Sequence, residues 1–410
     1  MKKVFSLIMA VIFCFGIAGI TSGCKPEEVT LSIWCSHDDM ALTEQFVDEF
    51  KKEYSGKAVF NITISEEEEV SCKETVLANP EAAADVFSFA ADQYKELYNA
   101  NALLEITLNT NEIIEANGGS DSGAVRCVTT DGKLYAYPKT ASNGYFLYYN
   151  SNYLTEDDIK SFDRILEVAE NAGKKVTMDY TSGWYIYSFF KGAGLNVDLT
   201  SDGVTNTCDW NSTDRKYKGT DVAEAMLRIA NHPAFVSGDD GTFKSLAKSG
   251  EIIAGINGTW NSSVIQEAFG DGYAAAKLPE YTIKGDSVQM CSFAGYKLIG
   301  VNAHTKYPEW SMRLAEWLTN EKSQTEYFKV RGEAPSNVNA AKSPEVQASP
   351  AIRALNEQSE YGYLENVGGA YWQPAYVFGT TIAAGNPDGT ELQKLLDIMV
   401  TGAEARPSTP

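Results

Sequence analysis

Large aromatic rings recur beside carboxylates or amides at a few points of this chain. They are Ser36-His37-Asp38 behind Ile33-Trp34-Cys35, Phe89–Gln93 with Asp92 at its centre, Gly183-Trp184-Tyr185, Gly258-Thr259-Trp260-Asn261, and Tyr371-Trp372-Gln373 ahead of Pro374. This combination suits a saccharide. A sugar ring has C–H faces that pack on aromatic planes, and a hydroxyl rim that needs donors and acceptors. An aspartate accepts two or more hydrogen bonds from such a rim, and charge-assisted bonds are the stronger ones. Phosphate or sulfate would favour Gly-rich helix starts and arginine instead, and no GxxxxGK[ST] motif is present. Singly, each residue has a plainer explanation: Asp92 as a helix N-cap, Asp38 as a turn residue, a tryptophan at a strand end as core or lid. Trp34 lies within a strand and is assigned to the core. The signal is that several such groups coincide at similar places.

Other chemistries are poorly served. The three histidines, His37, His232 and His304, are far apart, which disfavours both a zinc site and histidine acid–base catalysis. Cys35, Cys72, Cys127, Cys208 and Cys291 show no CxxC spacing. They read as small buried apolar residues with at most one disulfide among them. Glu66–Glu69 follow Ser65 and read as the acidic first turn of a capped helix. Contiguous carboxylates on a helix diverge, so calcium is not expected there; neither a metal nor a cofactor is. A net charge of −21 argues against a nucleic-acid partner. Asp38 and Asp92 in one cleft would also suit a glycan-active enzyme, because most glycosidases use two carboxylates at a set separation.

The positioning elements follow from periodicity. Val29–Ile33 alternates as a strand, and Leu42, Phe46, Phe50 and Tyr54 mark one face of a helix. Phe60, Ile62 and Ile64 alternate again. Asp85–Phe89 is a short apolar strand, and Asp92 caps a helix reaching about Ala100. Later come a strand over Val176–Tyr180, a helix over Trp184–Gly194 and a helix through Val222, Met226 and Ile229. A buried strand over Ile252–Ile256 follows, then a helix with Trp310, Leu314, Trp317 and Leu318 facing the core. Residues 195–219 read as loop. Strands alternating with helices indicate an α/β fold with a mostly parallel sheet, and a chain this long calls for two domains. Ligands of open α/β sheets bind beyond the carboxyl ends of the strands, where the aromatic junctions fall.

At the start, Lys2 and Lys3 precede an uncharged run from Val4 to Ile20, and Thr21-Ser22-Gly23-Cys24 follows. This is the pattern of a secretory leader, and the run is short for a span of roughly 20 residues. Small residues ending on cysteine resemble a bacterial lipobox. The leader is therefore expected to be residues 1–23, with lipid on Cys24 holding the protein to the outer side of the membrane.

Several segments together resemble the family 1 extracellular solute-binding proteins of ABC importers. They are Val29–Phe50, Ala84–Ile106, Gly132–Pro138 (GKLYAYP), Tyr145–Asn150 (YFLYYN), Asn257–Pro279 and Ser292–Asn337. They keep the family's order, and the likeness is closest to the maltose and maltodextrin binders. The resemblance implies a two-lobed, type II periplasmic-binding-protein-like fold with discontinuous lobes joined by a hinge. The lobes would be residues 24–138 with 293–335, and 139–292 with 336–406, closing on ligand held between them. It implies stacking by Trp260 and by Tyr185 or Trp184, and hydroxyl recognition by Asp38 and Asp92. Phe89 stands where maltose binders can carry Trp, and Gln93 where Arg is found. Asn143 falls near a place often held by an acid, Trp372 near a family aromatic, and Asp39 replaces a Lys. The implied function is extracytoplasmic capture of maltose and maltooligosaccharides by a monomer, which delivers them to a membrane permease without chemistry. The alternatives are another neutral oligosaccharide or an exported glycan-active enzyme.

Overall fold

The computed structural model describes residues 26–406; the leader and the lipidation candidate Cys24 lie outside the described residues. Two five-stranded sheets form its centre. The first has the order Ala58–Glu66, Glu27–Cys35, Val86–Ala90, Lys297–Val301, Ala136–Thr140. Glu27–Cys35 runs parallel to the strands on both its sides, whereas Lys297–Val301 is antiparallel to both of its neighbours. The second has the order Phe235–Ser237, Lys175–Met178, Ile252–Gly258, Tyr145–Asn150, Tyr273–Ala276. Here Lys175–Met178 is parallel to both neighbours, and Tyr145–Asn150 is antiparallel to both of its own. Each sheet thus carries one strand that runs against a mainly parallel frame.

The apolar pattern explains the layers. Central strands such as Val86–Phe89 and Ile252–Gly258 are buried throughout, because helices cover both sheet faces. Helix Met40–Glu53 buries Leu42, Phe46 and Phe50 against the first sheet. Trp310 and Trp317 meet it edge-on, at 4.9 Å from Phe60 and 6.0 Å from Phe50, and pack half-buried against the core, as expected of core rather than site residues. The second sheet has its own core, in which Phe190 stacks on the fully buried Trp210 at 3.9 Å.

The chain passes between the sheets through short segments lying side by side. It leaves the first sheet at Thr140 and enters the second at Tyr145. It returns through Ser292–Ala294 to Lys297. It crosses again near Pro335, which bridges Thr140, while the Ala141 N–H donates to the Ala334 carbonyl at 2.8 Å. Buried charge gathers here. Lys139, with no exposed surface, pairs with Asp39 and lies 3.4 Å from Glu69. Lys297 pairs with Glu333 at 2.8 Å and lies 3.7 Å from Glu69. Arg331 reaches Asp38 at 3.1 Å and Asp39 at 3.4 Å. Burial alone would raise the Asp39 carboxyl, but Lys139, Lys297 and Arg331 outweigh it and hold it below the usual carboxylate range.

Some local expectations change. Glu66–Glu69 do not open a helix: the strand continues through Glu66 and the helix starts at Cys72. These carboxylates are drawn to separate partners. Glu66 meets the His37 ring at 3.0 Å, Glu67 accepts from Ser71 and Glu68 from the His37 N–H, while Glu69 turns inward to the lysines. Residues 195–219 contain a hairpin of Val197–Leu199 with Asn206–Cys208, whose turn is tied by Asp202 to Thr200, Val204 and Thr205. Asp92 makes no cap bond; it sits in a tight turn, Ala91–Gln93, ahead of helix Tyr94–Asn99. All the described cysteines are free, and burial pushes the Cys35 and Cys291 thiols up to about 11.

Removing one partner of a buried pair strands the other charge. Lys139→Met is expected to lower stability by about 3–5 kcal/mol in urea unfolding followed by circular dichroism. A loss below about 1 kcal/mol would show that Asp39 finds enough compensation in Lys297 and Arg331.

Candidate functional site

A cleft of about 710 Å³ lies where the carboxyl ends of both sheets face each other. Ser36, Asp38, Ala90 and Asp92 come from strand ends of the first sheet, and Asp179, Trp184, Tyr185 and Trp260 from those of the second. Of the residues nominated from sequence, Trp260, Trp184, Tyr185, Trp372, Asp38, Asp92, Gln93 and Asn143 all line it. Phe89 does not. It is fully buried beside Phe87, ring centroids 5.8 Å apart. The central strand is still covered on both faces at that point, and the chain reaches the cleft only at Ala90.

Trp260 is fixed from several sides. It sits in the turn Thr259–Asn261 directly after the strand Ile252–Gly258. Its indole N–H donates to Asp240 at 2.8 Å, and the other Asp240 oxygen accepts from the Asn257 amide, also at 2.8 Å. The ring folds over Gly258 so closely that a Cβ there would lie 2.0 Å from it. The Lys297 ammonium stands 5.8 Å from the ring centroid, at the outer range of a cation–π contact. This bracing pre-orders the ring, so ligand binding need not freeze it.

A second aromatic wall faces the same space. Trp184 stacks on Phe293 at 5.2 Å; Phe293 also stacks on Tyr187 at 3.7 Å and lies 6.4 Å from Trp372. Tyr185 lines the cleft but is buried. The Trp184 indole nitrogen and one Asp92 oxygen are buried with no protein partner. Orphaned polar atoms in a cleft are costly unless a ligand or water meets them.

The remaining nominated polar groups divide by use. Gln93 is committed: its amide donates to the carbonyls of Glu69 and Val70 and accepts from the Lys73 N–H, which stitches the cleft loop together. Asp38 is engaged by Arg331. Asp92 has no ion-pair partner among the described residues, and burial pushes its carboxyl up to about 6 against the pull of Lys73 and of the Asp92 and Gln93 backbone N–H groups. Asp179, Asp240, Lys73, Lys297 and Glu365 also line the cleft and were not singled out from sequence. Asp179 follows a strand directly, so the junction rule would have reached it. Glu365 follows the short strand Gly362–Leu364, which no periodicity marks, and Lys73 opens the helix Cys72–Ala78, whose start the sequence placed earlier.

An acid whose folded-state pKa is raised contributes stability at low pH, and that stability is lost as pH rises through about 6. Asp92→Asn is therefore expected to raise Tm at pH 8 by about 2 °C or more, and by less at pH 5. An equal shift at both values would show that Asp92 is ordinarily solvated. Gly258→Ala should displace the Trp260 ring and change its fluorescence, whereas an unchanged emission spectrum would mean that the backbone yields instead.

Residues 45–354 match the family model described as bacterial extracellular solute-binding protein. The galactooligosaccharide-binding protein of Bacillus subtilis (strain 168) is 27% identical over 277 residues, covering 65% of this chain and 65% of that relative. A structure solved with acarbose is 28% identical, with a TM-score of 0.79, covering 92% of this chain and 99% of that one. The maltodextrin-binding protein of L. casei BL23, solved without ligand, is 24% identical at a TM-score of 0.73, with coverages of 92% and 99%. These structures share the two-lobed α/β fold of periplasmic binding proteins. Family and relatives are solute-binding proteins, not enzymes. This chain belongs to the bacterial extracellular solute-binding protein family.

Proposed function

We propose that this protein captures maltose and maltooligosaccharides outside the cell and hands them to the membrane subunits of an ABC importer. The observation that carries the reading is the cleft itself. The aromatic residues Trp260, Trp184 and Trp372 line it together with Asp92, and the Trp184 indole nitrogen and one Asp92 oxygen are buried without a protein partner. Flat C–H surfaces stack on such rings, and hydroxyls supply the donors and acceptors the orphaned atoms lack. The relatives support it: solved neighbours are described with acarbose and as maltodextrin-binding. In this reading the lobes are residues 24–138 with 293–335 and 139–292 with 336–406. They close by bending at the crossing segments, and the protein acts as a monomer. Cys24 carries the lipid that keeps it at the membrane.

The Bacillus subtilis relative is named for galactooligosaccharides, so a second reading keeps the class and changes the sugar. Titration calorimetry with maltotriose, a galactotriose and a xylotriose separates the two. Maltotriose is expected to bind tightest. Trp260→Ala should weaken it by at least about tenfold, as loss of a binding hot spot does, without unfolding the protein. Preference for galactotriose would replace the α-glucan assignment, and an unchanged Kd would remove Trp260 from the site. For the anchor, Cys24→Ser is expected to move the protein from the membrane fraction into the soluble fraction.

A further inference from the structure

Resting on the saccharide reading above, we propose that the cleft favours oligosaccharides bearing a protonated amine, held between Asp92 and Glu365, over their neutral parents. Eight carboxylate residues, namely Asp38, Glu68, Glu69, Glu74, Asp92, Asp179, Asp240 and Glu365, line the cleft, against Lys73, Lys297 and Arg331. Each of those cations is already committed. Lys73 pairs with Glu96 at 2.9 Å and Glu74 at 3.2 Å, Lys297 with Glu333 at 2.8 Å, and Arg331 with Asp38 at 3.1 Å. Asp92 and Glu365 have no such partner among the described residues.

Glu365 supplies an independent observation. It is only 8% exposed, yet it lines the cleft and its carboxylate takes no hydrogen bond from any described residue. The phenols beside it donate elsewhere: Tyr145 to the Trp184 carbonyl at 2.8 Å and Tyr371 to the Gly183 carbonyl at 2.7 Å. Asp92 keeps one buried oxygen unpartnered. The two acids also act on each other: after burial, the charge of Asp92 is what pushes the Glu365 carboxyl well above its usual range. Hydroxyl groups would donate to these oxygens but do nothing to offset the cost of charging them out of water. An ammonium donates and cancels charge at the same time.

The test is titration calorimetry at pH 7.5 with maltotriose and its three 6-amino-6-deoxy isomers, on the wild type, Glu365→Gln and Asp92→Asn. At least one isomer is expected to bind wild-type protein about tenfold tighter than maltotriose, or more. That ratio is expected to fall to about threefold or less in each variant. Binding of maltotriose with no isomer ahead of it overturns the inference and leaves the saccharide reading standing. An isomer advantage that survives in both variants places the ammonium elsewhere and also overturns it. If neither maltotriose nor any isomer binds, the α-glucan reading and the inference fall together. Should Glu365→Gln fail to fold by circular dichroism, Asp92→Asn alone decides the matter.

Discussion

Charge removed from water at the junction of the two lobes is the constraint that the rest of this structure depends on. Lys139 and Asp39 are both fully buried, and an isolated ion in that setting would be prohibitive. The ions therefore fix one another. Lys139 ends one crossing strand, Lys297 begins another, and Arg331 and Glu333 lie on the approach to the last. Asp39 and Glu69 come from the first lobe and close the set. Because each ion must keep its partner, the crossing segments are held together, and the cleft they bound has one geometry at its base. The Asp39 found where a Lys stands in the resembled pattern fits this logic, since it supplies the negative charge that Lys139 and Arg331 require.

From that base, rigidity spreads to the aromatic platforms. Lys297 belongs to the charged set and also stands near the Trp260 ring. On the other side Trp260 is tied by Asp240 and seated on Gly258. A platform held by hydrogen bond, glycine and cation costs little entropy to use. Trp184 and Trp372 are held differently, through Phe293 in an aromatic stack. Two modes of support thus hold aromatic faces that all come from the second lobe.

The cleft's polar groups divide into those that build it and those that remain available. Gln93, Asp240 and Arg331 are spent on protein partners. Asp92, Glu365 and the Trp184 indole nitrogen are not. That division, more than the list of lining residues, describes what the site asks of a ligand: donors for carboxylates, an acceptor for an indole, and flat apolar faces.

The alternation of strands and helices, the core role of Trp310 and Trp317, and the lining positions of Trp260, Trp184, Trp372 and Asp92 were all legible in the sequence. Each is a local matter of periodicity or of position at a strand end, and the parallel topology sends strand ends to one place. The sequence misled at Phe89, because one residue along a strand decides between core and cleft. It also misled at Glu66–Glu69, where distant lysines and His37 outcompeted local helix preference. Glu365 and Lys73 were missed, since the short strand ahead of Glu365 has no periodicity and the helix that carries Lys73 starts later than its local signal implies. Which carboxylates are paired and which stand open was decided by the tertiary structure alone. Pairing depends on residues far apart in the chain meeting within a few ångströms, and burial then sets how much each unpaired charge costs.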